Sequence, residues 1–454
     1  MNSETIIVGL VFLFVVVAFF LFKSQIFVFL NRLAKVQFHG VKNLQHADQD
    51  IDQDIEPEMQ IQSWLGLPNE KFVGRFVIFV ILSFLIFMIF SSFSRVLVQL
   101  GNAEFSAGYE KFGIATYNLA LEFDQDLKEA VNNCYAYNTQ QQYELAISSC
   151  SKAIEIDPNY AAAYAQRGYA YLRAKKYDQA IADFTKDIEL IPVATRSYIN
   201  RGTAYMEQDQ YDLAIAEFTE SIEINSNEPQ AWLNRGLAYI KQGQNDLAIT
   251  DCNKAIELGA KYWNEYSCLG LAFTGQQRYE LAIANFNKAI ELAPDTPVLY
   301  LMRGAMYEKQ EKMDLAIADY TQAIEFNPNY SSAYSSRGVI YAAQGHYDLA
   351  ISDFNKVIEL DSTYADVYVW RGNAFADTKD FSRAIADYQK AIFITNNSRT
   401  ISYVYCVQGV TYTKMGNFES AILSLEQGVK FDETRENGWC QTALENARQG
   451  IPTP

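Results

Sequence analysis

The sequence is poor in the residues that carry most chemistry. Its three histidines, His39, His46 and His346, are scattered, and it has neither a Cys-x-x-Cys pair nor a glycine loop of the kind that cradles phosphates. No catalytic constellation, cofactor or metal site is therefore expected. Positive charge is also short, with 37 Lys and Arg against 54 Asp and Glu and a net charge of −17. Phosphate backbones demand a basic footprint, so nucleic acid is not an expected partner. Once the apolar runs and repeats described below are assigned, no stretch remains for an enzyme domain.

What is present is repetition. The segment Tyr164 to Pro192, YAQRGYAYLRAKKYDQAIADFTKDIELIP, recurs every 34 residues. Its glycine column falls at Cys134, Gly168, Gly202, Gly236, Gly270, Gly304, Gly338, Gly372 and, after a three-residue insertion, Gly409. Tyr164, Gly168 and Tyr171 share one helical face. Tyr177, Ala180, Phe184 and Ile188 share another. Neither stripe is buried alone, so stacked helical hairpins, an all-α solenoid, are predicted.

At these residues the chain resembles the tetratricopeptide repeat family. An aromatic stands four residues before the glycine from Tyr164 to Tyr405, and another three after it from Tyr137 to Tyr412. An alanine column runs unbroken from Ala146 to Ala421. The resemblance covers nine units over 126–435, with a worn first repeat over 95–125 and a capping helix and tail over 436–454. It implies a right-handed superhelix of antiparallel helical hairpins whose concave groove holds a peptide or a protein surface.

Two columns vary together. Arg167, Arg201, Arg235, Arg303, Arg337 and Arg371 precede the glycine, and sixteen residues on stand Asp183, Glu217, Asp251, Asp319, Asp353 and Asp387. Where Asn133, Leu269 and Gln408 replace the arginine, the acid becomes Ser149, Asn285 and Ser424. Ion pairs within each unit are predicted, because pairing across units would leave Asp251 facing Leu269.

For the groove, helical geometry sets Gln166, Asn200, Asn234, Cys268, Met302, Ser336 and Trp370 opposite the packed stripe. In some superhelices of this family an asparagine ladder in that column pairs with a bound peptide's backbone. Asn200 and Asn234 supply two rungs, with Arg173 and Lys241 flanking them for an acidic segment and Trp370 as an aromatic anchor. The lysine and asparagine set that clamps the acidic tails of chaperones is absent. Asp187 stands where other units carry Ala153, Ser221 or Ala255. It either reaches solvent or a nearby base, or marks a functional polar pocket. Asn329 and Asn396 begin N-x-S sequons.

Six cysteines do not suggest a disulfide framework. Cys134 and Cys150 face one another within one hairpin and can pair in an oxidising compartment. Cys406 and Cys440 are equivalent positions on successive helices, expected about 10 Å apart and beyond the roughly 7 Å limit for a bridge. Cys252 falls in the core aromatic column and Cys268 toward the groove.

Ahead of the repeats, Ile6 to Phe22 and Phe76 to Phe93 are apolar runs of 17 and 18 residues. Extended past a single charge each, they predict membrane spans over 1–30 and 72–94, with lipid contact over 6–30 and 72–93. Between them, 31–71 reads as an amphipathic and acidic loop. Lys23, Arg32, Lys35, Lys42, Lys71 and Arg75 put that loop in the cytoplasm and the repeats outside it. The expected role is a membrane-anchored interaction scaffold. The alternative is a chaperone-like assembly factor for a membrane or secretion complex.

Overall fold

The computed structural model describes residues 93–454 apart from 260–261, 432–437 and 453–454. Both apolar runs and the loop between them lie outside the described residues, save Phe93 and Ser94. Among the described residues no helix is long and apolar enough to cross a membrane. No strand occurs among them. A helix over 93–106 is followed by twenty more, from Glu110–Phe123 to Gly438–Arg448. Full repeat 1 pairs helices Gln125–Thr139 and Tyr143–Ile156, and repeat 9 pairs Ser398–Lys414 with Phe418–Phe431.

Each repeat is built alike. In repeat 2, helix Ala161–Arg173 turns through Lys175, whose φ is +59°, into helix Tyr177–Leu190. Between repeats, a side chain such as Asp157 or Asn225 accepts a hydrogen bond from the backbone N–H two residues on, at 2.9 and 3.1 Å. That local bond competes with the helix and ends it. Inside the hairpin the ring of Phe184 lies on Gly168 so closely that a Cβ there would stand 2.9 Å from it. Ala180 is completely buried. Small residues thus set the helix spacing and rings fill what is left.

Each second helix packs on the first helix of the next repeat, and first helices of consecutive repeats also touch in most of the array. The array therefore bends with first helices on its inner side. Helix Gly438–Arg448 closes the far end by laying Cys440, Ala443 and Leu444 on Cys406 and Leu425.

The near end departs from register. Gly101 meets the ring of Tyr117 as Gly168 meets Phe184, so the first two helices pair as a hairpin. Helix 93–106, however, lies across the loop edge of the following repeats. Arg95 donates to the Ile156 carbonyl at 3.4 Å, Asn102 to that of Asn159 at 2.7 Å, and Ser106 to that of Leu190 at 3.5 Å. Two of those carbonyls end second helices, where backbone acceptors lack partners. Phe93 packs edge-on against Phe123, and Ser94 is buried with its hydroxyl on the Ala120 carbonyl. These two residues pack as part of the helical array.

Candidate functional site

The amide column lies where neighbouring first helices meet. Asn138 donates to both the main-chain and side-chain oxygens of Gln166, at 3.0 and 3.1 Å, while its own Oδ1 is buried with no partner. Asn234 accepts from Gln230 at 2.6 Å and donates to Thr203 at 3.4 Å. The half-buried side-chain amide of Asn200 has no partner among the described residues. Arg173 is exposed at the end of its helix and donates to the Tyr143 hydroxyl at 3.3 Å; Lys241 is exposed at the equivalent place. The structure thus brings Gln166, Asn200 and Asn234 onto the inner face, with the two cations at its edge.

Two expectations for this face are corrected. Trp370 is no exposed anchor: it is half-buried against Phe354 and Tyr364, ring centroids 6.0 and 5.6 Å away. A ring so large at that position covers the preceding repeat's core. Cys268 does not face the groove but is fully buried. The aromatics that do stand on this face are Tyr135 and Tyr169, 42% and 37% exposed, each one turn from the amide column. Sequence reasoning passed over them; later repeats hold Thr203, Leu237 and Leu271 at that position, and this contrast was the available signal.

Behind the face sit the arginines. All six pair with the acid sixteen residues on; in repeat 2 the Arg167 Nε and Nη2 donate to Asp183 at 2.7 and 2.8 Å. The third nitrogen reaches back sixteen residues into the preceding repeat, Arg167 to Ser151 at 3.0 Å, Arg235 to Thr219 at 3.1 Å and Arg303 to Asn287 at 2.7 Å. That Ser, Thr or Asn column escaped the sequence reading. Tyr164 and Tyr171 flank the guanidinium at 5.7 and 5.9 Å, and the same sandwich recurs around Arg303 and Arg337. Burial pushes the Asp183 and Glu217 carboxyls above their ordinary range despite the bound arginine. Gln408 and Ser424 form the neutral version of the pair at 3.3 Å.

Asp187 is 4% exposed and has neither solvent nor a base. Its carboxylate accepts from the Ser197 hydroxyl, and burial pushes its pKa up to about 7. Tyr117 and Tyr135 lie near enough to feel its charge. Asp157, also buried, has one oxygen with no partner. The expected contact with solvent or a base is therefore not made; Asp187 is instead buried at the seam of repeats 2 and 3, near the crossing helix, with the Ser197 hydroxyl as its partner.

All six cysteines are paired: Cys134 with Cys150, the bridge that facing positions in one hairpin allow, and, contrary to expectation, Cys252 with Cys268 and Cys406 with Cys440, at Cα separations of 5.0, 6.1 and 5.5 Å. Each occurs where the glycine and ring packing is interrupted. Cys134 takes the glycine column and Cys150 the ring column. Cys252 leaves a ring's space empty over Gly236, and Cys268 fills it. Gly428 lies between Cys406 and Cys440, within 2.5 and 3.1 Å of their sulfurs for any added Cβ; without a side chain on the intervening helix, the two first helices approach closer than the usual 10 Å or so.

Models described as TPR repeat match residues 202–243, 270–311 and 338–379. Models described as tetratricopeptide repeat match 135–160, 149–182, 229–261, 297–330, 319–352, 365–397 and 402–435. Together they span more than half of the chain. Among solved structures, a tetratricopeptide repeat protein from Parabacteroides merdae is 21% identical, with a TM-score of 0.47 over 56% of this chain and 100% of that one. The C-terminal part of a TPR repeat-containing protein from Cytophaga hutchinsonii is 19% identical, with a TM-score of 0.46 over 54% and 99%. YrrB, described as a TPR protein with an unusual peptide-binding site, is 28% identical, with a TM-score of 0.34 over 39% and 92%. No protein of curated function matches the chain. The 34-residue hairpins, the glycine and ring contacts and the family models agree: the chain belongs to the tetratricopeptide repeat family, whose members bind peptides and proteins.

Proposed function

We propose that the protein is a membrane-anchored, non-catalytic interaction scaffold, held outside the cytoplasm, that binds a peptide or protein segment along the inner face of repeats 1 to 4. The observation that carries the binding reading is the amide column beside the exposed rings of Tyr135 and Tyr169, in which the half-buried side chain of Asn200 has no partner among the described residues. A half-buried amide with no protein partner can exchange its water for a peptide's backbone, for a net gain of about 0.5–1.5 kcal/mol per hydrogen bond. The aromatic pair adds sequence-tolerant apolar contact beside it.

Two independent features support the compartment. Basic residues cluster between the two apolar runs, and all six cysteines are paired, as is common in oxidising compartments and rare in the cytosol.

The test is photocrosslinking in intact cells of the native host, with a photoreactive residue replacing Asn200, Tyr169 or, on the outer face, Asp348. Adducts to a discrete protein from positions 200 and 169 but not 348, lost on Asn234→Ala, support the reading. Adducts from 348 alone sink it.

A further inference from the structure

The two N-terminal helices expose apolar surface that their neighbours do not explain. Val96 and Leu100, one turn apart on helix 93–106, are 57% and 37% exposed. Around the following turn Tyr109, Phe112 and Ile114 are 61%, 66% and 46% exposed, and the rings of Tyr109 and Phe112 touch edge to face. On the outer helices of the full repeats, by contrast, an exposed leucine recurs once per unit, as at Leu213, Leu247 and Leu315, each directly after an aspartate. Isolated leucines of that kind are ordinary surface.

Charge is distributed in the same sense. From Phe93 to Phe123 the charged residues are Arg95, Glu104, Glu110, Lys111 and Glu122, a net of −1, whereas 124–454 carries 29 Lys and Arg against 43 Asp and Glu. Glu104 is tied to Thr116 at 2.6 Å. The chain enters this hairpin straight from the apolar run that ends at Phe93. An anionic headgroup layer repels the acidic repeats far more than this hairpin with its single net negative charge. Aromatic rings beside a lysine are what the interfacial zone favours.

We propose that the exposed apolar side chains of this hairpin, Phe112 and Tyr109 foremost, seat in the interfacial zone of a lipid bilayer, so that the array meets the membrane through its first two helices. This rests on the membrane-anchored reading above. Together with the three backbone contacts that bind helix 93–106 to the loop edge of repeats 1 and 2, the seating fixes which edge of the array lies nearest the lipid.

The experiment uses the full chain in vesicles of zwitterionic and anionic phospholipid. Every native cysteine is paired, so Phe112→Cys supplies a single free thiol for an environment-sensitive fluorophore; Tyr109→Cys is the duplicate and Leu349→Cys the exposed control. Flotation with the vesicles in high salt reports anchoring. A blue-shifted emission at 112 and 109, largely lost when shallow nitroxide-labelled lipid is included, with the control unchanged, is the expected result. Flotation with a solvent-like spectrum at 112 and 109 overturns the seating and leaves the anchor standing. A blue shift that nitroxide lipid does not quench assigns the patch to protein contact and also overturns it. Failure to float overturns the anchor and the seating together.

Discussion

On folding, the carboxyl of Asp187 gives up its water and receives one hydroxyl, that of Ser197. Because burial raises its pKa from 3.8 to about 7, the folded protein holds this proton to higher pH than the unfolded chain does. Stability from this group therefore falls as pH rises from about 4 to about 7, and the cost is complete above that. At about 1.4 kcal/mol per unit, it reaches up to about 4 kcal/mol. Replacing Asp187 by alanine, the residue of its column in repeats 1 and 4, should raise the melting temperature at pH 8 and leave it nearly unchanged at pH 4. Hydrogen exchange across repeats 2 and 3 at the two values localises the gain; equal effects at both pH values would refute the assignment. The sequence marked this residue as a departure. Its surroundings were not legible, because they depend on a hydroxyl and two rings from three other helices.

At the scale of the helix, the arginine node joins three elements: its own helix, the second helix of its repeat and the second helix of the repeat before. The pair itself was readable, since the two columns switch together at Leu269 and Asn285 as well as at Gln408 and Ser424. The third contact was hidden in a column that alternates among Ser, Thr and Asn and looks like ordinary helix surface. Side-chain exposures of 14% and 4% for Arg235 and Asp251 put this pair among the most buried of the six. Arg235→Ala is expected to cost roughly 3–5 kcal/mol by stranding Asp251, and Arg235→Met made together with Asp251→Leu to cost far less. A double-mutant cycle by denaturant unfolding checks it, and additive losses would refute it.

Across the whole molecule, the three disulfides close loops at the start, the middle and the end of the array. Sequence separations of 16, 16 and 34 residues correspond to about 3–4 kcal/mol each by loop entropy. Protein isolated from its native host and alkylated under denaturing conditions should bind no label before reduction and six labels after it. Reduction should lower the melting temperature of an array whose repeats otherwise support only their neighbours. Free thiols in the freshly isolated protein would contradict the extracytoplasmic reading.

By itself the sequence determined the 34-residue hairpin, its stacking and the six ion pairs. In a repeat array these contacts join residues at fixed offsets, so a column of letters is also a column of environments. Tertiary structure alone decided the exceptions. Cys406 reaches Cys440 because Gly428 between them has no side chain, Trp370 turns onto Phe354, and helix 93–106 crosses the carbonyls of Ile156 and Leu190 instead of stacking in register. Each of these depends on the shape a neighbour leaves vacant, and a vacancy has no letter in the sequence.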